Sequence, residues 1–201
     1  MRPIKACINL SALTFNLQSI KKIAKNSKVM AVLKANAYGH GLIESVKAIK
    51  NVEGIAILTI EEASKIKKAG YKNTILLLEG LFAAEEIYQA EKLNLNITLH
   101  NDRQIEFLDN VVLKNPVSVH LKINTGMNRL GFPPDQIDYL IENLNANPNV
   151  SDITLMTHFA SADEKEGITK QLDCFNRITD NYNLSSSVAN SAALYKFPES
   201  R

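Results

Sequence analysis

The sequence predicts an α/β fold in which helices cover a parallel sheet, and three observations support this. Strand-sized apolar runs recur along the chain, stretches with helical spacing lie between them, and no glycine-rich dinucleotide fingerprint follows the first run. Parallel strands need crossover helices and are buried on both faces, which explains the near-continuous apolar runs. The alternation fits a doubly wound sheet or a (β/α)8 TIM-type barrel, and the missing fingerprint favours the barrel.

The elements follow in order from the hydrophobic pattern. Residues 7–25 precede the alternation and predict a short extended piece and then a helix, with Asn9 or Ser11 as its cap. The predicted strands cover residues 29–33, 55–58, 74–78, 95–99, 117–123, 153–156 and, more weakly, 187–189. The apolar positions with helical spacing between them are Leu42, Val46 and Ile49; Ala63, Ile66 and Ala69; Ala84, Ile87 and Ala90; Ile105, Leu108 and Val111; Ile137, Leu140, Ile141 and Leu144; Leu172, Phe175 and Ile178.

The predicted barrel lacks an eighth strand-and-helix unit, because the sequence ends shortly after the seventh predicted strand. A parallel barrel that cannot close leaves two unpaired edges and an interior open to water. We therefore expect a fragment, or a barrel that something else completes. No linker rich in Pro, Gly or Ser divides the chain, so residues 1–201 are predicted to form one domain.

Composition narrows the class of function. The 23 basic and 21 acidic residues nearly cancel, which argues against nucleic acid and acidic membrane surfaces and leaves a small molecule as the expected partner. The cysteines, Cys7 and Cys174, form no Cys-x-x-Cys pair, and the four histidines lack metal-ligand spacing, so no metal site is predicted. Without an apolar leader or a membrane-length apolar run, the chain is expected in the cytoplasm.

The most informative segment is 29–41, VMAVLKANAYGHG. An apolar strand delivers Lys34 at its carboxyl end, where parallel α/β folds place their sites. Burial disfavours an ammonium, so a partly desolvated Lys34 would be a nucleophilic amine able to form a Schiff base. The alternative is a lysine that merely reaches solvent from the end of a strand.

This segment resembles the cofactor-lysine motif of alanine racemases. Shorter Lys-Ala-Asn variants occur across related fold-type-III pyridoxal enzymes, whereas Ala-Tyr-Gly-His-Gly is found in a much narrower group. The resemblance implies a truncated barrel without the family's C-terminal β domain. It also implies that Lys34 holds pyridoxal 5′-phosphate and is one of two proton-transfer bases. Tyr38 would lie beside the cofactor and steady Lys34, while His40 is expected to be a turn or packing residue.

A second match lies at 120–132, HLKINTGMNRLGF, where a strand carrying Lys122 leads into a loop that can aim Arg129 over the barrel mouth. The paired donors of a guanidinium suit a carboxylate or a phenolate, although a surface arginine in such a loop is the alternative. The resemblance implies that Arg129 contacts the phenolic oxygen of the cofactor and the substrate carboxylate. Lys122 occupies the position that many family members carbamylate.

Two further matches are 156–164, MTHFASADE, and 189–193, ANSAA. A lone histidine such as His158 is ordinarily a core residue, but the resemblance implies a position near the cofactor ring without proton transfer. In the second match, a small-residue turn brings the hydroxyl of Ser191 to a predicted helix start, which suits a phosphate. The resemblance makes Ser191 the phosphate ligand and includes Asn190 among the cofactor contacts. A simple helix cap is the alternative.

Racemisation removes a proton from one face of the substrate and returns it on the other, so two bases are needed. By resemblance, the second base is a tyrosine from the C-terminal domain of the partner subunit in a homodimer, beyond this chain. Three functions stay open. The chain is part of an alanine racemase that interconverts L- and D-alanine for peptidoglycan, a single-domain pyridoxal-phosphate-binding barrel without turnover, or an inactive remnant.

Overall fold

The computed structural model describes residues 3–201, and its centre is one sheet of seven parallel strands. The strands are hydrogen-bonded in the order of the chain, so each pairs with its sequence neighbours and the sheet curls into a half-barrel. This arrangement confirms the predicted α/β barrel that stops after seven strands. The strands are β1 Met30–Val32, β2 Gly54–Ile57, β3 Thr74–Leu77, β4 Asn96–Leu99, β5 Val117–Lys122, β6 Val150–Met156 and β7 Ser185–Ser187.

The predicted strand bounds need two corrections. Strand β6 begins at Val150, three residues before the predicted start, and β7 lies two residues before the predicted position. Strand β7 is a run of serines without an apolar pattern, so pairing with β6 decides its position through Thr154↔Ser185 and Met156↔Ser187. A strand without a hydrophobic face has no local signal for its register.

The helices lie between the strands, and hydrogen-bonded caps define several of their starts. Asn9 rather than Ser11 caps the first helix, by accepting from the backbone N–H of Ala12. Thr59 and Glu62 form a reciprocal capping box at another helix start. The helices are α1 Leu10–Ala24, α2 Lys34–Tyr38, α3 Leu42–Ala48, α4 Ile60–Lys68, α5 Glu86–Leu93, α6 Asp102–Asp109, α7 Ile137–Ala146, α8 Thr169–Thr179 and α9 Ser191–Lys196, with 3-10 turns at Pro134–Gln136 and Pro198–Ser200.

Alternate strand residues build two layers of core. Ile55, Ile57 and Ile97 belong to the main cluster, which the helices cover on the outside of the sheet. Between them, Ala56 and its neighbours on other strands point the opposite way and form a small apolar cluster inside the curl. No helix among residues 3–201 is long and apolar enough to cross a membrane.

The two edges of the sheet approach each other without pairing. Helices α1 and α9, which flank opposite edges, are in contact, whereas β1 and β7 share no backbone hydrogen bonds within the described part of the chain. Val32 of β1 is 39% exposed and the first two residues of β7 are also exposed. The curl therefore has an open side between its first and last strands.

Candidate active site

A single cavity of about 1690 Å³ joins the carboxyl ends of the strands to the open side of the curl. Its walls come from residues that directly follow β1, β3, β5, β6 and β7, together with side chains of α1 and α8. All seven predicted site residues line it, although they come from four separate motifs. They are Lys34, Tyr38, Lys122, Arg129, His158, Asn190 and Ser191.

Lys34 stands at the start of α2, which is a left-handed helical turn. Four consecutive residues without glycine, Ala35 to Tyr38, have φ between 53° and 55°. A left-handed conformation costs an L-residue roughly 1–2 kcal/mol, because Cβ crowds the following carbonyl oxygen. Backbone strain of this kind persists only where the surroundings hold it, and here it sets the direction of the half-buried Lys34.

Side chains close to the left-handed turn hold it in place. The side-chain oxygen of Asn36 accepts a hydrogen bond from the N–H of Leu42 at 2.8 Å, which ties the turn to α3. Nδ1 of His40 lies 2.8 Å from the carbonyl oxygen of Ala37, and Ala37 itself is buried. His40 therefore makes a contact within the turn, where the sequence analysis expected it.

The loop after β5 presents Arg129 from a hydrogen-bonded frame. The carboxamide oxygen of Asn124 accepts from the N–H groups of Gly126 and Asn128, at 3.1 and 3.0 Å. The backbone N–H of Asn124 donates to Phe132, which closes the loop. Gly131 has φ +116°, and a Cβ there would lie 2.8 Å from the nitrogen of Asn124. Asn124 was not among the predicted site residues, although asparagine before a small-residue turn is a known signal.

Three of the predicted site residues that line the cavity, Lys34, Lys122 and Arg129, are basic. Burial lowers the pKa of Lys122, and the nearby charges of Arg129 and Lys34 lower it further, while Glu79 opposes them. Only 9% of Lys122 is exposed. Burial likewise lowers the pKa of His158, with Lys122, Arg129 and Lys34 adding to the effect. Three positive side chains thus act on the same space, which suits an anionic ligand.

Contacts among the loops fix the neighbourhood of His158. The hydroxyl of Thr157, one residue earlier, donates to the carbonyl oxygen of Ile123 at 2.9 Å and lies 2.8 Å from the hydroxyl of Thr125. Gln171 of α8 accepts from the N–H of Ala160 at 2.8 Å. The loops after β5 and β6 are therefore joined. Thr157 and Gln171 were not among the predicted site residues, because their hydrogen-bond partners are distant in the chain.

Asn190 and Ser191 have different roles, one as a helix cap and the other as a residue that faces the cavity. The side-chain oxygen of Asn190 caps α9 by accepting from the N–H of Ala193 at 2.9 Å, and its amide nitrogen donates to the carbonyl oxygen of Phe159 at 3.0 Å. Ser191 is the first residue of α9 and does not act as its cap. Asn190 thus holds the turn, and the exposed Ser191 keeps its hydroxyl at the cavity wall.

The loops after β3 and β4 contribute residues that were not among the predicted site residues. Glu79 and His100 line the cavity, and the carbonyl oxygen of Glu79 accepts from the side-chain amide of Gln104 at 2.8 Å. Nε2 of His100 lies 3.1 Å from the same oxygen. Gly80 has φ +68°, and a Cβ there would lie 2.1 Å from the carbonyl oxygen of Thr98. Tight packing therefore fixes the backbone on which Glu79 sits.

The parallel half-barrel is that of a TIM-type barrel, a class whose sites lie at the carboxyl ends of the strands, where this chain places its lysines and Arg129. Residues 8–201 match the family described as alanine racemase, N-terminal domain. The chain belongs to this family. The four motifs therefore occur in a sequence whose family is established over nearly its whole length.

Individual relatives agree with this result. The chain is 45% identical over 201 residues to an alanine racemase of Nitrosospira multiformis, covering 98% of this chain and 56% of that protein. The crystal structure of a biosynthetic alanine racemase from Pseudomonas aeruginosa superposes with a TM-score of 0.95 at 37% identity, covering 100% of this chain and 57% of that one.

A Clostridium difficile alanine racemase, solved as a complex with cycloserine, gives a TM-score of 0.84 at 31% identity and covers 96% and 57% of the two chains. The chain thus spans about half the length of the relatives it matches. These matches show the family and the fold of the chain.

Proposed function

We propose that this chain is the cofactor-binding part of a pyridoxal-phosphate-dependent alanine racemase, which interconverts L- and D-alanine in the cytoplasm for peptidoglycan synthesis. The observation that carries the proposal is the single cavity lined by residues of all four motifs. Residues from 34 to 191 in the sequence converge on it, and chance rarely brings together the members of four separate motifs.

The chemistry of the donors fits pyridoxal phosphate. The cofactor offers an aldehyde, a phenolic oxygen and a phosphate, which call for an amine, a cation and hydroxyl or N–H donors. The cavity presents Lys34, Arg129 and Ser191 in these roles. When bound, pyridoxal phosphate withdraws electrons from the substrate Cα and makes its proton acidic.

The residues of the chain would then divide the work. Lys34 holds the cofactor and moves a proton at Cα on one face, through its Nζ atom. Arg129 orients the substrate carboxylate with paired donors, and Tyr38 lies on the same wall as Lys34 and steadies it. His158, whose pKa is lowered by burial, stays neutral beside the ring and only positions it.

The anionic ends of the ligands also have partners in this proposal. Ser191 binds the phosphate through its hydroxyl, with Asn190 holding the turn that presents it. Lys122 lies near enough to Arg129 for the two positive charges to repel, and conversion of its amine into a carbamate would replace this buried cation by an anion that attracts the guanidinium. The modification of Lys122 is part of the proposal.

The base for the opposite face is proposed to come from the C-terminal domain of a partner subunit in a homodimer. Tyr182 also lines the cavity, but its hydroxyl donates to the carboxylate of Asp138 at 2.6 Å. This hydrogen bond is the main cause that raises the pKa of Tyr182 to about 12. A phenol held in this way is a poor base at neutral pH, so Tyr182 does not take that role.

The test is an absorbance spectrum of the purified chain titrated with pyridoxal phosphate, followed by an assay of exchange between L- and D-alanine. We expect a cofactor band that Lys34→Ala removes and that Lys114→Ala, at an exposed lysine, leaves intact. A band of equal strength in Lys34→Ala would refute the assignment of Lys34.

The exchange assay separates the remaining functions. Because the described cavity offers a base on one face, we expect a band without racemisation from residues 1–201 alone, and racemisation once the C-terminal domain of an alanine racemase is supplied. A band without racemisation in both cases would favour a barrel that carries the cofactor without turnover. No band in the wild type would make the chain an inactive remnant of the family.

A further inference from the structure

A chain of buried hydroxyl groups joins the carboxyl ends of β5 and β6. The hydroxyl of Thr157 donates to the carbonyl oxygen of Ile123 at 2.9 Å. A hydroxyl has one proton, so the hydroxyl of Thr125, which lies 2.8 Å from that of Thr157, must donate to it. Thr125 and Thr157 are 9% and 5% exposed, and hydroxyls buried this deeply are ordinarily paired. The hydrogen bonds therefore run in one direction, from Thr125 through Thr157 to Ile123.

Thr157 also joins β6 to the last strand. Its backbone N–H donates to the carbonyl oxygen of Ser187, the last residue of β7, at 3.2 Å. The side chain of Thr157 thus binds one neighbouring strand end, and its main chain binds the other. The segments that follow these three strand ends carry Arg129, His158 and Ser191. Thr157 is therefore the residue at which three parts of the candidate site are connected.

Gln171 of α8 supports this connection from the outside. Its side-chain oxygen accepts from the N–H of Ala160 at 2.8 Å. Its amide nitrogen lies 3.5 Å from the hydroxyl oxygen of Thr125 and 3.4 Å from the carbonyl oxygen of His158. These two distances are longer than those between the threonines. Gln171 therefore adds to the hydroxyl chain but is not its main member.

Arg129 depends on its loop for its direction. The side chain is exposed at the cavity wall, and among residues 3–201 the guanidinium forms no ion pair. Arg129 lies four residues after Thr125, in the loop whose N–H groups the carboxamide of Asn124 accepts. Because nothing else described holds the guanidinium, a shift of the loop also shifts the charged group.

We propose that Thr157 is a positioning residue that, through Thr125, fixes the Arg129 loop against β6 and so aims the guanidinium at a carboxylate ligand. Loss of the Thr157 hydroxyl would leave the Thr125 hydroxyl and the Ile123 carbonyl unpaired in a buried place, and the loop would have to move to pair them again. The hydroxyl proton of Thr157 is already used, so Thr157 acts through the loop and has no proton to donate to a ligand.

The inference rests on the proposed function only in naming a carboxylate as the ligand of Arg129, and its test needs no cofactor. The test is a titration of the chain with acetate, which serves as the carboxylate probe. Binding is followed by the nitrogen-15 NMR signal of the Arg129 Nε–H group, which is assigned by its absence in Arg129→Lys. The dissociation constant for acetate then reports how well the loop presents the guanidinium.

We expect Thr157→Val and Thr125→Val each to weaken acetate binding about fivefold, the factor that corresponds to one hydrogen bond of average strength. Valine keeps the shape of the side chain and removes the hydroxyl. Thr125→Ser retains the hydroxyl and should bind acetate as the wild type does. Thr74→Val, at an exposed threonine of β3, is the matched control and should also leave the affinity unchanged. Gln171→Met should weaken binding less than either valine variant.

The double variant Thr125→Val/Thr157→Val separates one chain of hydrogen bonds from two independent contacts. Residues that act through the same chain should together lose about fivefold, whereas independent residues would lose about 25-fold. A loss of about 25-fold, or wild-type affinity in Thr157→Val, would overturn the proposal. So would an Arg129 signal that acetate does not move in the wild type. If Thr157→Val does not fold, the comparison of Thr125→Val with Thr125→Ser decides.

Urea denaturation of each variant shows whether the chain is fully folded during the titration, so that lost affinity is not mistaken for lost stability. The cofactor titration separates this inference from the proposed function. No cofactor band in the wild type, together with the coupled loss of acetate binding, would reject the proposed function and leave this inference standing. A cofactor band together with unchanged acetate affinity in Thr157→Val would do the reverse.

Discussion

The centre of the sheet and its two edges are built in different ways. In β2 to β5, apolar residues such as Ile55 and Ile97 are completely buried and the helices pack over them. In β1 and β7 the strands are three residues long, Val32 is 39% exposed, and β7 is a run of serines. Hydrophobic burial thus stabilises the centre, whereas the edges depend on hydrogen-bonded turns.

The candidate site spans both kinds of region, and its lysines reflect the difference. Lys122 ends a central strand and is buried, and burial and neighbouring cations lower its pKa. Lys34 follows an edge strand, is half-buried, and is directed by the left-handed turn. Packing therefore places Lys122, while a strained local conformation places Lys34. Four predictions test this contrast.

The largest effect is expected from truncation in the central strands. Ile97→Ala in β4 removes a completely buried side chain and should lower the free energy of unfolding by about 2–5 kcal/mol. Val32→Ala at the edge should cost under about 1 kcal/mol, because its side chain is already partly in water. Urea denaturation measures both. Equal losses would show that centre and edge do not differ in this way.

The second prediction concerns pH, since His120 is a titratable group in the buried centre. Burial lowers its pKa from 6.5 to about 4, so between these values the unfolded chain binds the proton more readily than the folded one. Stability should therefore fall as pH drops from 6.5 to 4, by on the order of 3 kcal/mol.

The check on this pH dependence is the slope of unfolding free energy against pH. The slope should become shallower in His120→Gln, which does not titrate. His158 contributes with the same sign, because its pKa is also lowered. His158→Gln should therefore flatten the profile as well. A slope unchanged by both substitutions would rule out the two buried histidines as the cause of the pH dependence.

The third prediction addresses the frame around Arg129. Gly131→Ala places a methyl group 2.8 Å from the nitrogen of Asn124 at a φ of +116°, so the loop must shift. We expect a loss of about 1–3 kcal/mol in stability, and weaker binding of an anionic ligand. Thermal unfolding and a phosphate titration measure the two effects. Gly70→Ala, where a Cβ meets nothing within 4 Å although φ is +88°, is the matched control.

The smallest effect is a gain at the edge. Ala35→Gly relieves a residue at φ 53° and should raise stability by about 1 kcal/mol, because glycine adopts this conformation without crowding. Ala12→Gly in the right-handed α1 should instead lower stability by roughly 0.5–1 kcal/mol. Chemical denaturation of both variants gives the comparison. A loss in Ala35→Gly would mean that the turn is not strained.

The sequence was sufficient to predict the position of an element wherever one local pattern dictated its structure. The apolar runs located β2 to β5, because burial on both faces leaves a continuous signal. It was insufficient at β7, whose serines carry no such signal, and at α2, where nothing in Lys-Ala-Asn-Ala-Tyr announces four left-handed residues. Glu79 was not among the predicted site residues, because its place at the cavity wall depends on the packing of the loops after β3 and β4.

The sequence by itself determined the fold class, the family and the residue types available for chemistry, because periodicity and motifs are local properties. The tertiary structure decided which of these residues share a cavity, that Asn190 caps α9 while Ser191 faces the cavity, and which charges act on Lys122. The physical reason is that these interactions depend on the distance between groups in the folded chain. Burial, electrostatic interaction and hydrogen bonding between loops depend on separation in space, which only the folded chain defines.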